Sequence, residues 1–319
     1  MTAPALSVVL TTRTGWGPVA ATLRCLAAQT VADRIELVLV SFAAEPPGEA
    51  PPETARLAAY RVVSLPGAGS VAEANAAGAL ASAAPIVAFG EDHSFPLPEW
   101  AAALLERHAE PWAVVGPVVR NANPRSATSW ADFLLGYAPF AEGAGGGEVA
   151  ESPGHNSSYK RELLERHAGG LVADMAAEWL FHGRLRAHGE RVYLEPRAIT
   201  RHVNFALPRV FLAAKFRAAQ SGTRVRARGW PWRRRLVYCA GSAILPALRG
   251  LRLLRGLSPA QRATVPLLRV APMLLAGLFV DAAGQAAGFV SRTVEPARDA
   301  DLELERVRFI PAADRAALP

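Results

Sequence analysis

Cysteine is scarce in this sequence of 319 residues, which contains only Cys25 and Cys239. Two cysteines do not imply a disulfide framework, so the composition favours a reducing compartment. The first residues also lack a basic segment followed by a long apolar stretch, and we therefore expect no secretory signal. No internal repeat is visible, and the length suits one large domain with an appendage.

Acidic residues are missing from a long segment of the second half. Between residues 203 and 280 there is no Asp or Glu, whereas fourteen Arg and Lys residues occur there. These charges exceed the net charge of +7 for the whole chain, so the remainder is net negative. Basic residues beside apolar helices are typical of a cytoplasmic membrane surface. Nucleic acid is the alternative partner for this basic segment, and we expect no nucleic-acid binding. Trp230 and Trp232 flank a proline, which is typical of interfacial anchors and does not form a stacking array.

Two apolar runs accompany the basic segment. Residues 236–248 are uncharged but too short to cross hydrocarbon, which takes about 20 residues. Arginines on both sides predict that this run lies in the interface or re-enters, since a spanning helix prefers its positive charges on one side. Residues 271–290 are long enough to cross, and only Asp281 and Gln285 interrupt them. The alternative is a soluble helical subdomain that buries both runs against the rest of the chain.

The first hundred residues alternate apolar strands with helices. Strands are predicted at 6–13, 35–40, 60–64 and 86–89, with helices at 18–29 and 71–83. Strands separated by helices of this length predict a parallel sheet with right-handed crossovers. This half of the chain therefore has the pattern of a nucleotide-binding α/β domain.

A polar cluster follows the apolar strand at 86–89. Glu91, Asp92 and His93 come in succession, and a helix is predicted from about Pro98. Ligand sites of open α/β sheets lie at the carboxyl ends of strands, where carboxylate and imidazole groups are placed to bind a metal. A polar loop that only caps the strand is the alternative that this segment leaves open.

An opening of three short segments and five later ones, in register from about residue 6 to residue 202, together resemble one known family. The opening comprises SVVLTTR at 7–13, LAAQT at 26–30 and IELVLV at 35–40, and the later segments are EANAAG at 73–78, EDH at 91–93, GHNSSYKR at 154–161, EWLFHGRLRAHG at 178–189 and RAITRH at 197–202. In this order and spacing the chain is similar to family-two, GT-A-fold inverting glycosyltransferases.

The resemblance implies an α/β fold, with a GT-A-type, mostly parallel sheet flanked by helices and a C-terminal helical membrane-associated appendage. The expected divisions are a nucleotide-sugar-binding and catalytic domain at 1–206, a basic and apolar helical region at 207–293, and a polar tail at 294–319. The implied activity is metal-assisted transfer of a sugar, with inversion, from a nucleotide-sugar donor to an acceptor hydroxyl. The acceptor would be a glycan or a lipid-linked molecule, and the location the cytoplasmic face of the cell membrane.

The resemblance also implies roles for individual residues. The catalytic base would be Glu178, with Asp174 as the fallback. The metal ligands would be Asp92, His93 and His202. His155, Asn156 and Trp179 would lie on the acceptor side. The donor would be bound by Thr11, Thr12, Arg13, Ser41, Asn75, Glu91 and Asp92.

The chemistry explains why such residues are needed. A leaving nucleoside diphosphate gains negative charge, which a divalent cation offsets as a Lewis acid. An inverting enzyme also needs a carboxylate that takes the proton from the acceptor hydroxyl. Glu178 fits by position on a helix predicted to start near Asp174 and to end before Gly189, although a solvated acid on a helix face is the alternative. Asp174 also fits an N-cap.

Two positions depart from the family pattern. Ser41 and Phe42 stand where aspartates usually read the base and ribose, so the nucleotide stays open. His93 stands where an aspartate is usual, and imidazole suits manganese or zinc better than magnesium. The expected cofactor is Mn²⁺ or Mg²⁺, with a site that has lost metal as the alternative. A non-catalytic relative that binds nucleotide or partner proteins also remains open.

Three other histidines are assigned no role in this chemistry. His167, His182 and His188 lie on helices among charged neighbours. We predict that all three are surface residues.

Overall fold

The computed structural model describes residues 3–291 and 304–319, and within them nine strands form one mixed sheet. The strand order is β3-β2-β1-β4-β8-β6-β9-β5, and β7 pairs with β9 off this path. The strands are β1 Leu6–Thr12, β2 Ile35–Ser41, β3 Ala59–Ser64, β4 Ile86–Phe89, β5 Ser94–Pro96, β6 Val114–Asn121, β7 Gly147–Glu148, β8 Ser158–Lys160 and β9 Val192–His202.

The α-helices of the described residues divide at residue 207. Those of the α/β region are α1 Trp16–Ala27, α2 Val71–Ala81, α3 Trp100–His108, α4 Ala127–Tyr137, α5 Arg161–Arg166, α6 Leu171–Met175 and α7 Glu178–Ala187. Those that follow are α8 Pro208–Arg226, α9 Trp232–Gly241, α10 Leu245–Gly256, α11 Pro259–Thr264, α12 Leu267–Val290 and α13 Ala312–Arg315.

The first four strands along the sheet are parallel, as the alternating pattern predicts. Every residue of β1, β2 and β4 is buried, because helices cover both faces of the sheet. One core cluster packs α1 and α3 against one face, and a second packs α2 and α5–α7 against the other. A side chain at Gly78 of α2 would overlap Val9 of β1, so this glycine lets helix and strand approach closely.

The second half of the sheet differs from the mostly parallel prediction. β8 is antiparallel to both β4 and β6, and β5 and β7 are antiparallel to β9. The segment after β4, expected as a loop, forms strand β5, in which Ser94 lies opposite His202. This pairing carries the polar turn at 91–93 next to the end of β9.

The helical region shares its core with α4 of the α/β region. Trp130, Phe133 and Leu134 of α4 cluster with Phe211 of α8 and with apolar residues of α12. The packing of α12 on α8 depends on glycine, since side chains at Gly284 and Gly288 would overlap backbone atoms of α8. Helix α8 begins at Pro208, and one hydrophobic core continues from the α/β region into the helices that follow.

Two helical segments are long and apolar enough to cross a membrane, by length and composition alone. One is Trp232–Gly256, which joins α9, a 3₁₀ turn and α10, and the other is α12. The run at 236–248, predicted to be too short, is therefore part of a helical segment of 25 residues. Asp281 of α12 forms an ion pair with Arg249 and accepts a hydrogen bond from Gln285, which places this charge in a packed position.

The C-terminal segment is not a free polar tail. Residues 294–303 lie outside the described residues, but the chain from 304 onwards packs against the α/β region. Leu304 and Ile310 are buried, and the Glu305 N–H donates to Asp92 Oδ2 at 2.6 Å. Arg24 donates to the carbonyl oxygen of Pro319 at 3.1 Å. These contacts bring the end of the chain to the polar turn after β4.

Candidate active site

Polar side chains collect where the parallel strands β1, β2 and β4 end. Thr12 and Ser41 lie opposite each other in the sheet, and each holds its own turn: Thr12 Oγ1 donates to the Gly15 carbonyl, and Ser41 Oγ accepts from the Ala43 N–H. Thr11 Oγ1 is buried without a hydrogen-bond partner in the described structure. Arg13 follows the strand and is partly buried.

Glu91, His93 and His202 converge at this edge of the sheet. One ligand atom from each lies within 4.8 Å of the other two. His93 Nε2 is 3.5 Å from Glu91 Oε1, and His202 Nε2 is 3.4 Å from Glu91 Oε2. Ligands about 2.0–2.2 Å from one divalent ion are separated by about 3–3.5 Å, so these spacings suit a shared metal.

Neighbouring groups orient both imidazoles toward Glu91. Asp92 Oδ1 contacts His93 Nδ1 at 2.6 Å, and Asn204 Oδ1 contacts His202 Nδ1 at 3.1 Å. Such contacts fix the ring and leave the other nitrogen for a metal. Both Nε2 atoms are buried and lack a hydrogen-bond partner in the described residues. Two unpartnered imidazole nitrogens facing a carboxylate fit a divalent cation.

The converging group differs in one member from the predicted ligands Asp92, His93 and His202. Asp92 lies behind His93, where its second oxygen accepts the Glu305 N–H. Glu91, predicted to bind the donor, takes its place in the group. The pairing of β5 with β9 sets this orientation, because it fixes the turn at 91–93 beside His202.

The protonation of this group also suits a cation. The pKa of His202 is lowered to about 3, chiefly by burial and also by the charges of His93 and Arg306, while Glu91 opposes the shift. Burial raises the pKa of Glu91, but the surrounding histidines and Arg306 together hold it well below its usual range. An ionised carboxylate beside a neutral imidazole is the state that metal binding requires.

A cavity of about 390 Å³ contains Glu178, the first residue of α7. The carboxylate is buried, its Oε1 lacks a hydrogen-bond partner, and its Oε2 is 3.9 Å from His155 Nδ1. Burial raises the pKa of Glu178, and the charge of Glu91 raises it further, while His155 opposes the shift. A side chain at Gly154 would overlap Glu178 Oε2, so the Glu178 carboxylate would have to move if this glycine were replaced.

Asp174 has a different environment from Glu178. One helix was expected from near Asp174, but two are present. Helix α6 ends at Met175, residues 176–177 are not helical, and α7 begins at Glu178. Asp174 lies inside α6 rather than at an N-cap, forms an ion pair with Arg184, and lies 3.4 Å from His167 Nδ1. It does not line the cavity. The end of α7 agrees with the prediction, since Gly189 follows it with φ +84°.

The remaining predicted residues lie around these two groups. Asn75 Nδ2 is 3.5 Å from His155 Nδ1, and Trp179 lines the cavity with 41% of its surface exposed. Asn156, predicted on the acceptor side, donates instead to Glu91 Oε2 at 2.9 Å. It does so from a backbone with φ +93°, a conformation that Asn tolerates better than most residues.

Sequence reasoning missed several residues of the site. Arg306 and Leu304 come from the C-terminal segment: Arg306 lines the Glu178 cavity and Leu304 closes a space of about 20 Å³ beside Glu91. Lys215 and Asp132 form an ion pair of 2.7 Å on the cavity wall. Asn204, which orients His202, follows it by two residues. Of the missed residues, only this one could have been found from its closeness in sequence to a predicted metal ligand.

The prediction for His182 was wrong. This histidine is fully buried, and its Nε2 lies 2.8 Å from the Tyr159 hydroxyl. Arg184 and Arg186, its charged neighbours in the sequence, are exposed although His182 is buried on the same helix, so charged neighbours do not indicate its exposure.

No protein-family model and no curated protein matches the sequence. Among solved structures, the chain is similar to the mannosyltransferase PcManGT from Pyrobaculum calidifontis, solved with GDP-Man and Mn²⁺. The identity is 19% and the TM-score 0.50, over 89% of this chain and 88% of that one. GalNAc-T7, solved with UDP, GalNAc and Mn²⁺, matches at 14% identity and a TM-score of 0.46, over 64% of this chain and 43% of that one.

The similarity to PcManGT over nearly the whole of both chains agrees with the sheet of parallel and antiparallel strands and its flanking helices. Membership of family two stays a prediction. The chain has a GT-A glycosyltransferase fold.

Proposed function

We propose that this protein is a metal-dependent glycosyltransferase that moves a sugar from a nucleotide-sugar donor to an acceptor hydroxyl with inversion. The observation that carries the proposal is the position of His155. It lines both the space beside Glu91 and the cavity that contains Glu178, so the two groups lie on either side of one side chain.

Glu91, His93 and His202 would hold the metal, and the bound cation would offset the charge on the leaving diphosphate. Two imidazoles favour Mn²⁺ over Mg²⁺, which prefers oxygen ligands. The Mn²⁺ in the structure of PcManGT, a protein of the same fold, agrees with this choice. Thr11 lines the small space beside Glu91, and its Oγ1 is also buried and unpartnered. This hydroxyl would donate a hydrogen bond to the nucleotide-sugar donor.

Glu178 would act as the base toward the acceptor. Its unpartnered Oε1 is free to accept the proton of a hydroxyl in the cavity. Burial brings the pKa of this carboxyl closer to neutral pH, and a general base is most effective when its pKa is near the working pH. Trp179 and Tyr137 line the same cavity and would contact a sugar or lipid acceptor.

A non-catalytic GT-A-like protein is the second candidate, and one observation favours it. The space enclosed by Thr11, the turn after β4 and Leu304 is only about 20 Å³. A space of this size holds about one water molecule, so a diphosphate requires displacement of the C-terminal segment. A protein that keeps this segment in place would bind partners without transfer.

Thermal unfolding with a panel of nucleotide sugars, with and without Mn²⁺, separates the two candidates. A ligand that binds only the native state raises the melting temperature. The enzyme predicts stabilisation by one nucleotide class that depends on Mn²⁺, followed by release of that nucleoside diphosphate when an acceptor is supplied. Stabilisation without turnover over a broad acceptor panel would favour the binding protein.

We also propose that the protein acts at the cytoplasmic face of the membrane. Large apolar side chains are exposed on α9, α12 and the 3₁₀ turn after α9, among them Val237, Phe279 and Ile244, each at least 60% exposed. Arginines surround these helices, and each basic residue near anionic lipid contributes about 1 kcal/mol.

Fractionation tests this location. The full-length chain should sediment with membranes and resist extraction by salt. A soluble and monodisperse full-length protein without detergent would contradict the proposal.

A further inference from the structure

A cavity of about 660 Å³ lies where the ends of α8 and α12 meet the start of α9, away from the candidate active site. Three arginines line it, Arg224, Arg228 and Arg235. Its other walls are apolar and aromatic, and include Trp230, Trp232 and Phe289. No residue of the candidate active site contributes to this cavity.

Within residues 3–291 and 304–319, no acidic side chain offsets the positive charge of the cavity. No carboxylate of the described residues forms an ion pair with any of the three arginines, and the sequence has no acidic residue from 203 to 280. Arg224 donates to Ser291 Oγ at 2.8 Å, while its buried Nε has no partner in the described structure. Arg235 donates to the Ala227 carbonyl at 2.8 Å. Neutral oxygens thus fix two guanidinium groups without neutralising them.

The apolar wall of the cavity continues onto the exposed side of α9. Trp230 stacks on Phe289 with ring centroids 6.0 Å apart, and Arg234 lies 3.9 Å above the Trp230 ring. Leu236 lines the cavity and is half exposed, and Val237 beside it is 69% exposed. An anionic group among the arginines would therefore have apolar surface directly beside it.

We propose that this cavity binds the phosphate of an anionic phospholipid, with the acyl chains along the exposed side of α9. Guanidinium groups bind phosphate through paired hydrogen bonds, and aromatic side chains at a membrane interface flank such sites. Free phosphate would leave the apolar wall unused, and a nucleic acid would find no series of stacking platforms. The inference rests on the proposed membrane location and adds a specific lipid site to it.

The test uses the full-length protein in nonionic detergent and a short-chain lipid, dihexanoyl-phosphatidylglycerol, below its critical micelle concentration. Titration calorimetry should detect saturable binding of this lipid, and weaker binding of dihexanoyl-phosphatidylcholine. The double variant R224Q/R228Q should bind at least about tenfold more weakly, because each charged hydrogen bond lost contributes more than a neutral one.

The matched control is R217Q/R252Q, which removes the same charge from exposed arginines of α8 and α10 outside the cavity. It should bind the lipid like the original protein. Equal losses in both double variants would overturn the site, since the attraction would then be diffuse. Inorganic phosphate binding as tightly as the lipid, or an oligonucleotide competing for the cavity, would also overturn it.

The exposed residue Arg228 provides a check on folding. R228Q alone removes no hydrogen bond described within the protein, so its loss of lipid binding is not caused by unfolding. Lipid binding in detergent is measured apart from both sugar transfer and fractionation. A soluble protein that still binds the lipid would refute the membrane location but support the lipid site. A membrane-bound protein that does not bind the lipid would refute the lipid site alone.

Discussion

The α/β region and the helical region place their large apolar side chains differently. Before residue 207 the exposed large apolar residues are few and scattered, such as Tyr60, Leu80 and Val172. From 207 onwards they are numerous and follow one another along α9, α10 and α12. Contiguous exposed apolar surface of this kind marks an interaction site for a membrane or a partner.

The candidate site gives a second contrast. Four unpartnered buried atoms of the α/β region lie there: Thr11 Oγ1, Glu178 Oε1 and the Nε2 atoms of His93 and His202. Other unpartnered buried atoms occur singly on helices of both regions, such as Trp100 Nε1 on α3, Arg161 Nε on α5 and Arg226 Nε on α8. Unsatisfied polar groups are costly, so four at one place point to a site that a ligand completes. The helical region instead presents contiguous apolar surface.

The largest expected effect would test the α/β side of this contrast. Glu178→Gln should lower kcat by about 10²–10⁴-fold, the usual contribution of a general base. Affinity for the donor should hardly change, because a base acts on the acceptor. Steady-state kinetics and donor titration measure the two separately.

Asp174→Asn is the control for that experiment. It should leave turnover near normal, because Asp174 pairs with Arg184 outside the cavity. Equal loss of donor affinity and turnover in Glu178→Gln would instead make Glu178 a structural or donor-binding residue. A greater loss of turnover in Asp174→Asn would move the base to that position.

Removal of one imidazole should abolish stabilisation by metal. At a Mn²⁺ concentration of 100 times Kd, binding to the native state stabilises it by about 2.7 kcal/mol. His202→Ala should lose this effect, whereas His188→Ala, outside the metal group, should keep it. Melting temperatures with Mn²⁺ and with a chelator provide the measurement. A Mn²⁺ shift retained in His202→Ala would refute the ligand set.

The next prediction tests whether the helical region packs as tightly as its glycines indicate. Gly284→Ala should destabilise by about 1–3 kcal/mol, because its new methyl group would overlap the Phe216 carbonyl of α8. Gly222→Ala, on α8 with no atom nearby, should stabilise by about 0.5–1 kcal/mol through helix propensity. Thermal unfolding in detergent compares them. Identical effects at the two glycines would mean that α12 does not lie against α8 in solution.

Much of the parallel half of the sheet could be predicted from the sequence. Strand β4 is an uninterrupted apolar run, and β1 and β2 are mostly apolar, with Ser7 and Glu36 as their second residues, so the signal is local. Strands β5 and β7 have three and two residues, and only their pairing with β9 makes them strands. No pattern within so few residues distinguishes them from loops.

The residues of the candidate site also fall into two groups: those that a local motif indicates, and those that only tertiary packing brings together. Glu178 and His202 could be found because each lies in a motif of the resembled family. The choice between Glu91 and Asp92 could not be made, because it depends on the contact of β5 with β9 about a hundred residues further on. Arg306 was missed for a similar reason, since its segment reaches the site only through tertiary packing.

The smallest expected effect concerns the stability of the site itself. Burial raises the pKa of Glu178 above its ordinary value of 4.5, so folding favours the protonated form. The stability that this group contributes is present below its ordinary pKa and is lost as pH rises through the folded pKa. Glu178→Gln should therefore be more stable than the original protein at pH 7, and this advantage should shrink as pH falls toward 4.5.

Melting temperatures from pH 4 to 8 measure this difference, with the exposed Glu162→Gln as a control that should show no such trend. The same raised pKa moves the acid limb of turnover to higher pH than an ordinary glutamate gives, because the base acts only when ionised. A Glu178→Gln protein that is less stable than the original at pH 7 would mean that the carboxylate is held by a favourable partner. The α/β region would then lack the strained, ligand-ready site that sets it apart from the helical region.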